Sequence, residues 1–511
     1  MIKKLFFALI LSGSLFSACS EEGACRLDGS DVMNPNEGKS FLTISLILPE
    51  ASDTRSQTNT EGGTGDTEVA GPEESKITDA WVFLGEIYPG QQAPIKIAQR
   101  YFVEGFQCAG NPAHWTATIP CNPGRYRIAI IANPDPSIHV GTLPEANWDA
   151  LARAELHYNS YDDLKQTWRA DNFMMTNAYR GRNDDNDVVL EVGRNTYKEV
   201  YVQRTCARFD YEVANEKNIY GNILCQVDGV ERTLDVQLES LRLINISKNF
   251  NLFKMVVPDI QPGRVPDFYQ YETRENYVYD SDWQDKWNLQ YPGSHTDELA
   301  KIFCFPSERG SADKTPIMDE IKLPVTVGKN STVTYASENT LPSVLAQINK
   351  LSTGVVFKGK FRIEHTKSVF YRELSYGKEL YTSEEKLKEA LKDESIILPL
   401  GNLSDEVLAK LGILKFTADE QGYFPVYYTY WNRHNDNLDP YVMGNMEFAV
   451  VRNNVYKLKV NSISSLGLPL APDDPKNPWK PDGDTPDEQL PQIDVTIEVC
   501  DWVSRELEHE I

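Results

Sequence analysis

After residue 18 the chain has no apolar run long enough to span a bilayer. It is also short of positive charge. Against 75 Asp and Glu stand 51 Lys and Arg, a formal net charge of −24, which argues against nucleic acid or anionic lipid as partners and describes a self-repelling surface. No cysteine pair has the C-x-x-C spacing of a zinc site. His114, His139, His157, His295, His365, His434 and His509 form no H-E-x-x-H, and no G-x-S-x-G occurs. Gly62-Gly63-Thr64-Gly65 lies in a polar stretch rather than at a strand-to-helix turn. Neither catalysis nor a metal or cofactor has a motif to rest on, so the expectation is a non-enzymatic protein with no cofactor and no metal.

The chain does have length and apolar content. Its 511 residues predict two to four domains, and 41% hydrophobic residues supply their cores. Many short strands punctuated by Asn, Gly and Pro, with few helices, predict a mainly β protein built of two β-sandwich domains. Expected strands include 79–84, 95–103, 114–119, 126–132, 187–192, 196–202, 208–213, 234–246, 321–327, 354–363, 423–430 and 455–463. Helices are expected over 145–155 after Pro144, over 383–392 with a Thr382-x-x-Glu385 cap, and over 405–411 with Ser404 as N-cap. The boundary between the sandwiches falls near Gln203, giving spans of 56–203 and 204–463.

Two strands at opposite ends of the chain share one pattern. Residues 40–48 alternate so that Leu42, Ile44, Leu46 and Leu48 share a face, and residues 492–500 do the same with Ile493, Val495, Ile497 and Val499. Each could fill one groove in place of the other. The first is followed by residues 50–76, so poor in apolar side chains that an exposed loop is expected. Within it Arg55 is the only Arg between Arg26 and Arg100, so an Arg-specific protease would cut between Arg55 and Ser56 and sever the first strand from the body. The second lies beyond residues 464–491, where seven prolines enforce an extended backbone with a reach of about 80 Å, against a domain width of roughly 40 Å.

The start of the chain reads as an export signal. Lys3 and Lys4 precede the apolar run 5–11, and Phe16-Ser17-Ala18 leads into Cys19. This predicts a signal peptide over 1–18, lipidation of Cys19, and a propeptide over 19–55. Beyond Cys19 there are seven cysteines: Cys25, Cys108, Cys121, Cys206, Cys225, Cys304 and Cys500. Cys108–Cys121 and Cys206–Cys225 are the first disulfide pairings to test, with buried free thiols as the alternative.

Arg452-Asn453-Asn454-Val455-Tyr456, preceded by Val450-Val451 and followed by a strand, the Leu466-Gly467 turn, a Pro/Asp-rich linker and a final strand closing with Trp502, resembles the C-terminal half of the fimbrillins, the pilin subunits of the type V pili of Bacteroides-like bacteria. Within that family it is similar to the major subunits of the short (minor) fimbriae. Lys39 to Pro49 ahead of Thr54-Arg55, Thr205-Cys206-Ala207-Arg208, and Tyr335-Ala336-Ser337-Glu338-Asn339-Thr340 are further matches. Cys500 and the longer loop after Arg55 depart from the pattern, and Ser20-Glu21-Glu22 resembles the acidic tag that sends such lipoproteins to the outer face of the outer membrane.

The resemblance implies transthyretin-like sandwiches with exchanged terminal strands. A precursor anchored in the outer membrane by its lipid would be plugged by Leu42, Ile44, Leu46 and Leu48 and cut by an Arg-specific protease. The donor strand of Ile493, Val495, Ile497 and Val499 from another copy would then fill the groove, in a cell-surface fimbrium with tip and anchor subunits as further partners. Having both a cleavable Arg and a donor strand favours a stalk subunit.

A surface glycan-binding lipoprotein is the rival reading. It rests on Phe268, Tyr269, Tyr271, Tyr277, Tyr279, Trp283 and Trp287, which could stack on sugar rings. Asp184-Asp185-Asn186-Asp187 and Asn435-Asp436-Asn437-Leu438-Asp439 offer oxygens to calcium but lack the Gly and distant Glu of a dedicated loop.

Overall fold

Alternating apolar residues put most of this chain into sheets. The computed structural model describes residues 25–28, 38–48, 67–110, 113–135, 147–159, 161–169, 172–177, 186–257, 267–268, 277–289, 296–304, 320–328, 330–341, 351–375, 377–393, 404–439, 441–472 and 492–503. Cys19, Arg55, Ser56 and the Pro-rich segment after residue 472 lie outside them.

The first half of the chain forms a sheet in the order Cys25–Asp28, Ile97–Glu104, Asp79–Glu86, Gly124–Ala132, Met175–Asn177, Asn195–Arg204, Ser40–Ile47, His114–Cys121, Gln107–Ala109, with Asp187–Leu190 added beside Gly124–Ala132. Asn195–Arg204 is its corner. Val202 to Arg204 pair with Met175–Asn177, whereas Asn195 to Tyr201 pair with Phe41 to Ile47. The strand Gly124–Ala132 supplies an unbroken run of buried Ile128 to Ala132, as expected of a strand covered on both faces.

The backbone crosses into the second half between Arg204 and Ala207. One sheet there runs Asn330–Ala336, Ala207–Glu212, Asn454–Ile463, Ile493–Val503, Thr67–Val69. The facing sheet runs Ile413–Thr417, Ser368–Leu374, Gly377–Tyr381, Ile219–Val227, Val230–Ile244, Gly354–Phe361, Phe424–Trp431, with Ile321–Lys322 beside Val230–Ile244. One apolar core runs through both halves, from Leu42 to Trp502.

Two expectations about the ends are corrected. A strand beyond so long a tether is expected to contribute little to its own core, yet Ile493–Val503 pairs along its length with Asn454–Ile463 and joins the main core. The polar stretch 50–76 was expected to be loop throughout, yet Thr67–Val69 is a strand and Glu74 and Ser75 are buried. Composition misses this because the partners that bury those acids are arginines far away in sequence.

Helices are short. Trp148–Ala152 begins at Asn147, whose side chain caps Ala150 N, so Pro144 does not start it. Glu384–Asp393 is capped by Ser383, while the expected cap Thr382 bonds to Asp228. Asp405–Lys410 has Ser404 as its cap. A helix at Trp283–Leu289, inside the aromatic-rich stretch, was not foreseen.

Candidate functional site: the plugged groove and the terminal strand

The strand Ser40–Ile47 lies between two strands that are distant in sequence. It runs parallel to Asn195–Arg204, with Leu42, Ile44 and Leu46 opposite Thr196, Lys198 and Val200, and antiparallel to His114–Cys121, with the same residues opposite Ile119, Ala117 and Trp115. Leu42, Ile44, Leu46 and Leu48 are each no more than 1% exposed and belong to the main core. On the other face Thr43 Oγ1 donates to Asn195 Oδ1 at 3.0 Å, Ser45 Oγ lies 3.1 Å from His114 Nδ1 and Ile47 packs on Tyr201, while at the head of the apolar face Ser40 Oγ donates to the Glu191 carbonyl at 2.9 Å. Removing this strand would bare two ladder edges and an apolar slot.

The terminal strand is held differently. Ile493 and Val499 are buried, while Val495 and Ile497 on the same face are half-buried; Thr496 is exposed. Its second neighbour, Thr67–Val69, runs parallel to its last three residues only. Cys500, opposite Val455, is buried, and burial pushes its thiol up to about 12. Cys108, Cys121, Cys206, Cys225, Cys304 and Cys500 are free thiols, so neither Cys108–Cys121 nor Cys206–Cys225 forms.

Trp502 is fully buried in a socket made by both halves. Arg204 sits over its ring at 4.3 Å and Arg208 at 5.3 Å; Tyr335 stacks on it at 5.9 Å and Phe173 meets it edge-on at 5.8 Å. Arg204 Nη1 donates to the Trp502 carbonyl at 3.0 Å and to Asn453 Oδ1 at 3.1 Å. Burial pulls the Arg204 guanidinium down to about 10. Burial also opposes the charge of Arg208, but Asp210 and Glu74 beside it leave it raised overall.

Three of the short sequence blocks that suggested a family, those around Arg208, Tyr335 and Asn453, meet near this socket. Arg452 Nη2 donates to Glu338 Oε2 at 2.6 Å, with both side chains fully buried, and also to the Asn251 carbonyl. Asn453, with a left-handed φ of 58°, donates its N–H to the Cys206 carbonyl at 2.7 Å. Asn339 exchanges two backbone hydrogen bonds with Val450, and its side-chain oxygen accepts from Lys286 Nζ, itself ion-paired with Asp280. These residues build the junction rather than a catalytic centre. Glu74, Glu68 and Arg204 were missed by the sequence reading, and no local pattern marks them.

The rival readings lose their footing. Trp283 is buried with Tyr279 edge-on at 4.5 Å, and Val278 between them in sequence is core, so this part of the aromatic stretch packs inward; Tyr269 and Tyr271 lie outside the described residues. The Asp187 carboxylate is taken by Arg127 at 2.7 Å and Arg125 at 3.1 Å, while Asp184 and Asp185 lie outside the described residues. Asp436, Asn437 and Asp439 turn their oxygens onto the backbone N–H groups of Leu438, Asp439 and Tyr441. Among the described residues no group of three or more His, Cys, Asp or Glu could hold a metal ion.

Residues 423–508 match the family described as major fimbrial subunit protein type IV, fimbrillin, C-terminal. Among curated proteins nothing matches. Solved structures with a similar arrangement include a cell adhesion protein from Parabacteroides distasonis (12% identity, 92% of this chain, 99% of that chain, TM-score 0.41). A fimbrilin from Porphyromonas gingivalis is 15% identical over 91% of this chain and 98% of its own, at a TM-score of 0.36. The tip fimbrial protein Mfa3 of the same species, truncated at its C-terminus, is 11% identical over 91% of this chain and all of its own, at 0.34. The matched residues take in the strands Phe424–Trp431, Asn454–Ile463 and Ile493–Val503 with Trp502 itself, whereas Arg204, Arg208, Tyr335 and Phe173 around its ring lie outside them. Over residues 423–508 the chain is therefore similar to the C-terminal part of the fimbrillins.

Proposed function

We propose that this chain is a stalk subunit, exported as a lipoprotein through Cys19 and polymerised at the cell surface by strand exchange. An Arg-specific protease cuts between Arg55 and Ser56, the strand of Leu42, Ile44, Leu46 and Leu48 leaves, and the strand of Ile493, Val495, Ile497 and Val499 from another copy takes its place. Tip and anchor subunits complete the fimbrium. The observation that carries this reading is the position of Ser40–Ile47: a central strand of the first sheet, joined to the rest of the body only through the segment that contains Arg55.

Its four aliphatic side chains, at about 1.5–3 kcal/mol each, leave roughly 6–12 kcal/mol of burial for an incoming strand to recover, before ordering costs. The donor must also leave its own sheet. Its half-buried Val495 and Ile497 and its largely open second edge lower the cost of doing so.

Electrophoresis without boiling, before and after treatment with an Arg-specific protease, tests the proposal. A ladder of oligomers that appears only after cleavage is the expected result. A monomer in both lanes would leave the glycan-binding reading standing instead.

A further inference from the structure

The segment that begins the described body after the Arg55 loop is bound to the end of the terminal strand. Thr67, Glu68 and Val69 pair with Asp501, Trp502 and Val503. Glu68 reaches back across the sheet to Lys457 at 2.6 Å and to Arg208 at 3.4 Å. Next, Glu74 gathers what surrounds Trp502: Arg208 Nη1 donates to its Oε2 at 2.8 Å, the Tyr335 hydroxyl donates to its Oε1 at 2.7 Å, and Arg204 Nε donates to its backbone carbonyl at 2.8 Å. Arg204 Nη2 donates to Ser75 Oγ at 3.2 Å, and the Lys76 carbonyl is fixed by Asn133 Nδ2 at 2.7 Å in the first sheet. Two of the groups that touch the Trp502 ring, Arg204 and Arg208, are therefore held by residues 67–75.

We infer that Thr67 to Ser75 form a clasp that retains the terminal strand in its own subunit, so that a subunit gives up this strand only when the clasp opens. This rests on the strand-exchange reading and specifies how the donor is controlled. Glu74 is buried and Glu68 partly so, and buried acids without partners are costly; Arg208 and Tyr335, which partner them, also touch the Trp502 ring. The geometry also places the clasp next to the groove. Arg204, which grips both Trp502 and the clasp, is the last residue of the strand whose Asn195 to Tyr201 flank the plug. Loss of the plug leaves that strand without one of its neighbours and loosens the residue on which the clasp closes.

Hydrogen exchange of the uncut, full-length chain tests the inference through the double variant Glu68→Gln/Glu74→Gln, which keeps side-chain shape and removes both charges. The expected result is exchange in 493–503 faster by roughly tenfold or more, with 40–48 at the wild-type rate. Unchanged exchange in 493–503, or equal acceleration in both strands, would overturn the clasp. If the double variant does not fold, Glu68→Gln alone, at a residue that is partly exposed, carries the same expectation at a smaller factor, and an unchanged rate there overturns it equally. Assembly after cleavage is read separately: accelerated exchange with no polymer on cutting would leave the clasp intact and remove the donor-strand reading instead.

Discussion

The plug strand and the terminal strand share an apolar alternation but not a manner of being held. The plug has a full-length neighbour on each side, four deeply buried aliphatics and a far face tied by Thr43 and Ser45. Along its whole length the terminal strand has one neighbour; its second touches only its last three residues, and the middle of its apolar face is half-open. A strand embedded like the plug cannot leave at an appreciable rate while the chain is whole, because its connection makes return immediate and departure bares a core. Covalent cutting is the physical route to removing it. A strand held like the terminal one can leave if its single strong point, Trp502, is released. In the proposed exchange, acceptor and donor thus differ not in sequence pattern but in the second edge.

The largest effect expected from breaking this contrast is in the plug. Ile44→Asp places an unpaired carboxylate in a slot sealed on both sides and should cost the uncut chain about 4 kcal/mol or more, measured by denaturant unfolding. Trp502→Ala removes the anchor of the terminal strand and leaves Arg204 and Arg208 without their ring; a loss of about 3–5 kcal/mol and fast exchange in 493–503 are expected.

Acid should sharpen the comparison by acting on one side of it. His434 is buried against Tyr456, in the strand that carries the terminal strand, and burial pulls its imidazole from the ordinary 6.5 down to about 3. Its folded pKa is depressed, so the unfolded chain binds the extra proton first. Stability is then whole above about pH 6.5 and falls as pH drops toward 3, by about 2–4 kcal/mol. Asp282, pushed up to about 6 by burial, works the other way: stability rises as pH falls from about 6 to its ordinary 3.8. Thermal melts in an Asp282→Asn background should therefore show the full acid loss, and adding His434→Asn should flatten it.

The smallest effects are within the terminal strand itself. Val495→Asp, on a half-buried site, should cost about 1–3 kcal/mol and still leave a folded monomer, whereas Thr496→Asp on the exposed side should stay within about 0.5 kcal/mol. Equal effects at the two positions, read by thermal melts, would mean that the strand has no inner face.

Much of this arrangement is legible in the residues. The alternation of Leu42, Ile44, Leu46 and Leu48 marks an inward face because period two has one structural meaning when every second residue is aliphatic. Ser404 announces its helix through a local hydrogen bond. Asn454–Ile463 and Phe424–Trp431 lie within a residue of where their patterns place them. What composition hides is long-range. Glu68 and Glu74 read as solvated loop because the arginine and lysine that pair with them lie far along the chain, and nothing nearby signals them. Trp502 reads as the last residue of a detachable strand, although its ring is the most enclosed part of that strand. Trp283 and Tyr279 read as packing more readily than as a sugar platform, and the burial of Trp283 agrees with packing.

The central claim is that the plug departs when subunits join. Mass spectrometry of washed fibres assembled from protease-treated precursor tests it most directly. Subunits in such fibres are expected to begin at Ser56 and to carry no peptide containing Leu42, Ile44, Leu46 and Leu48. Fibres that retain that peptide in equal amount to the subunit would contradict it, because the groove would then still be filled by its own strand.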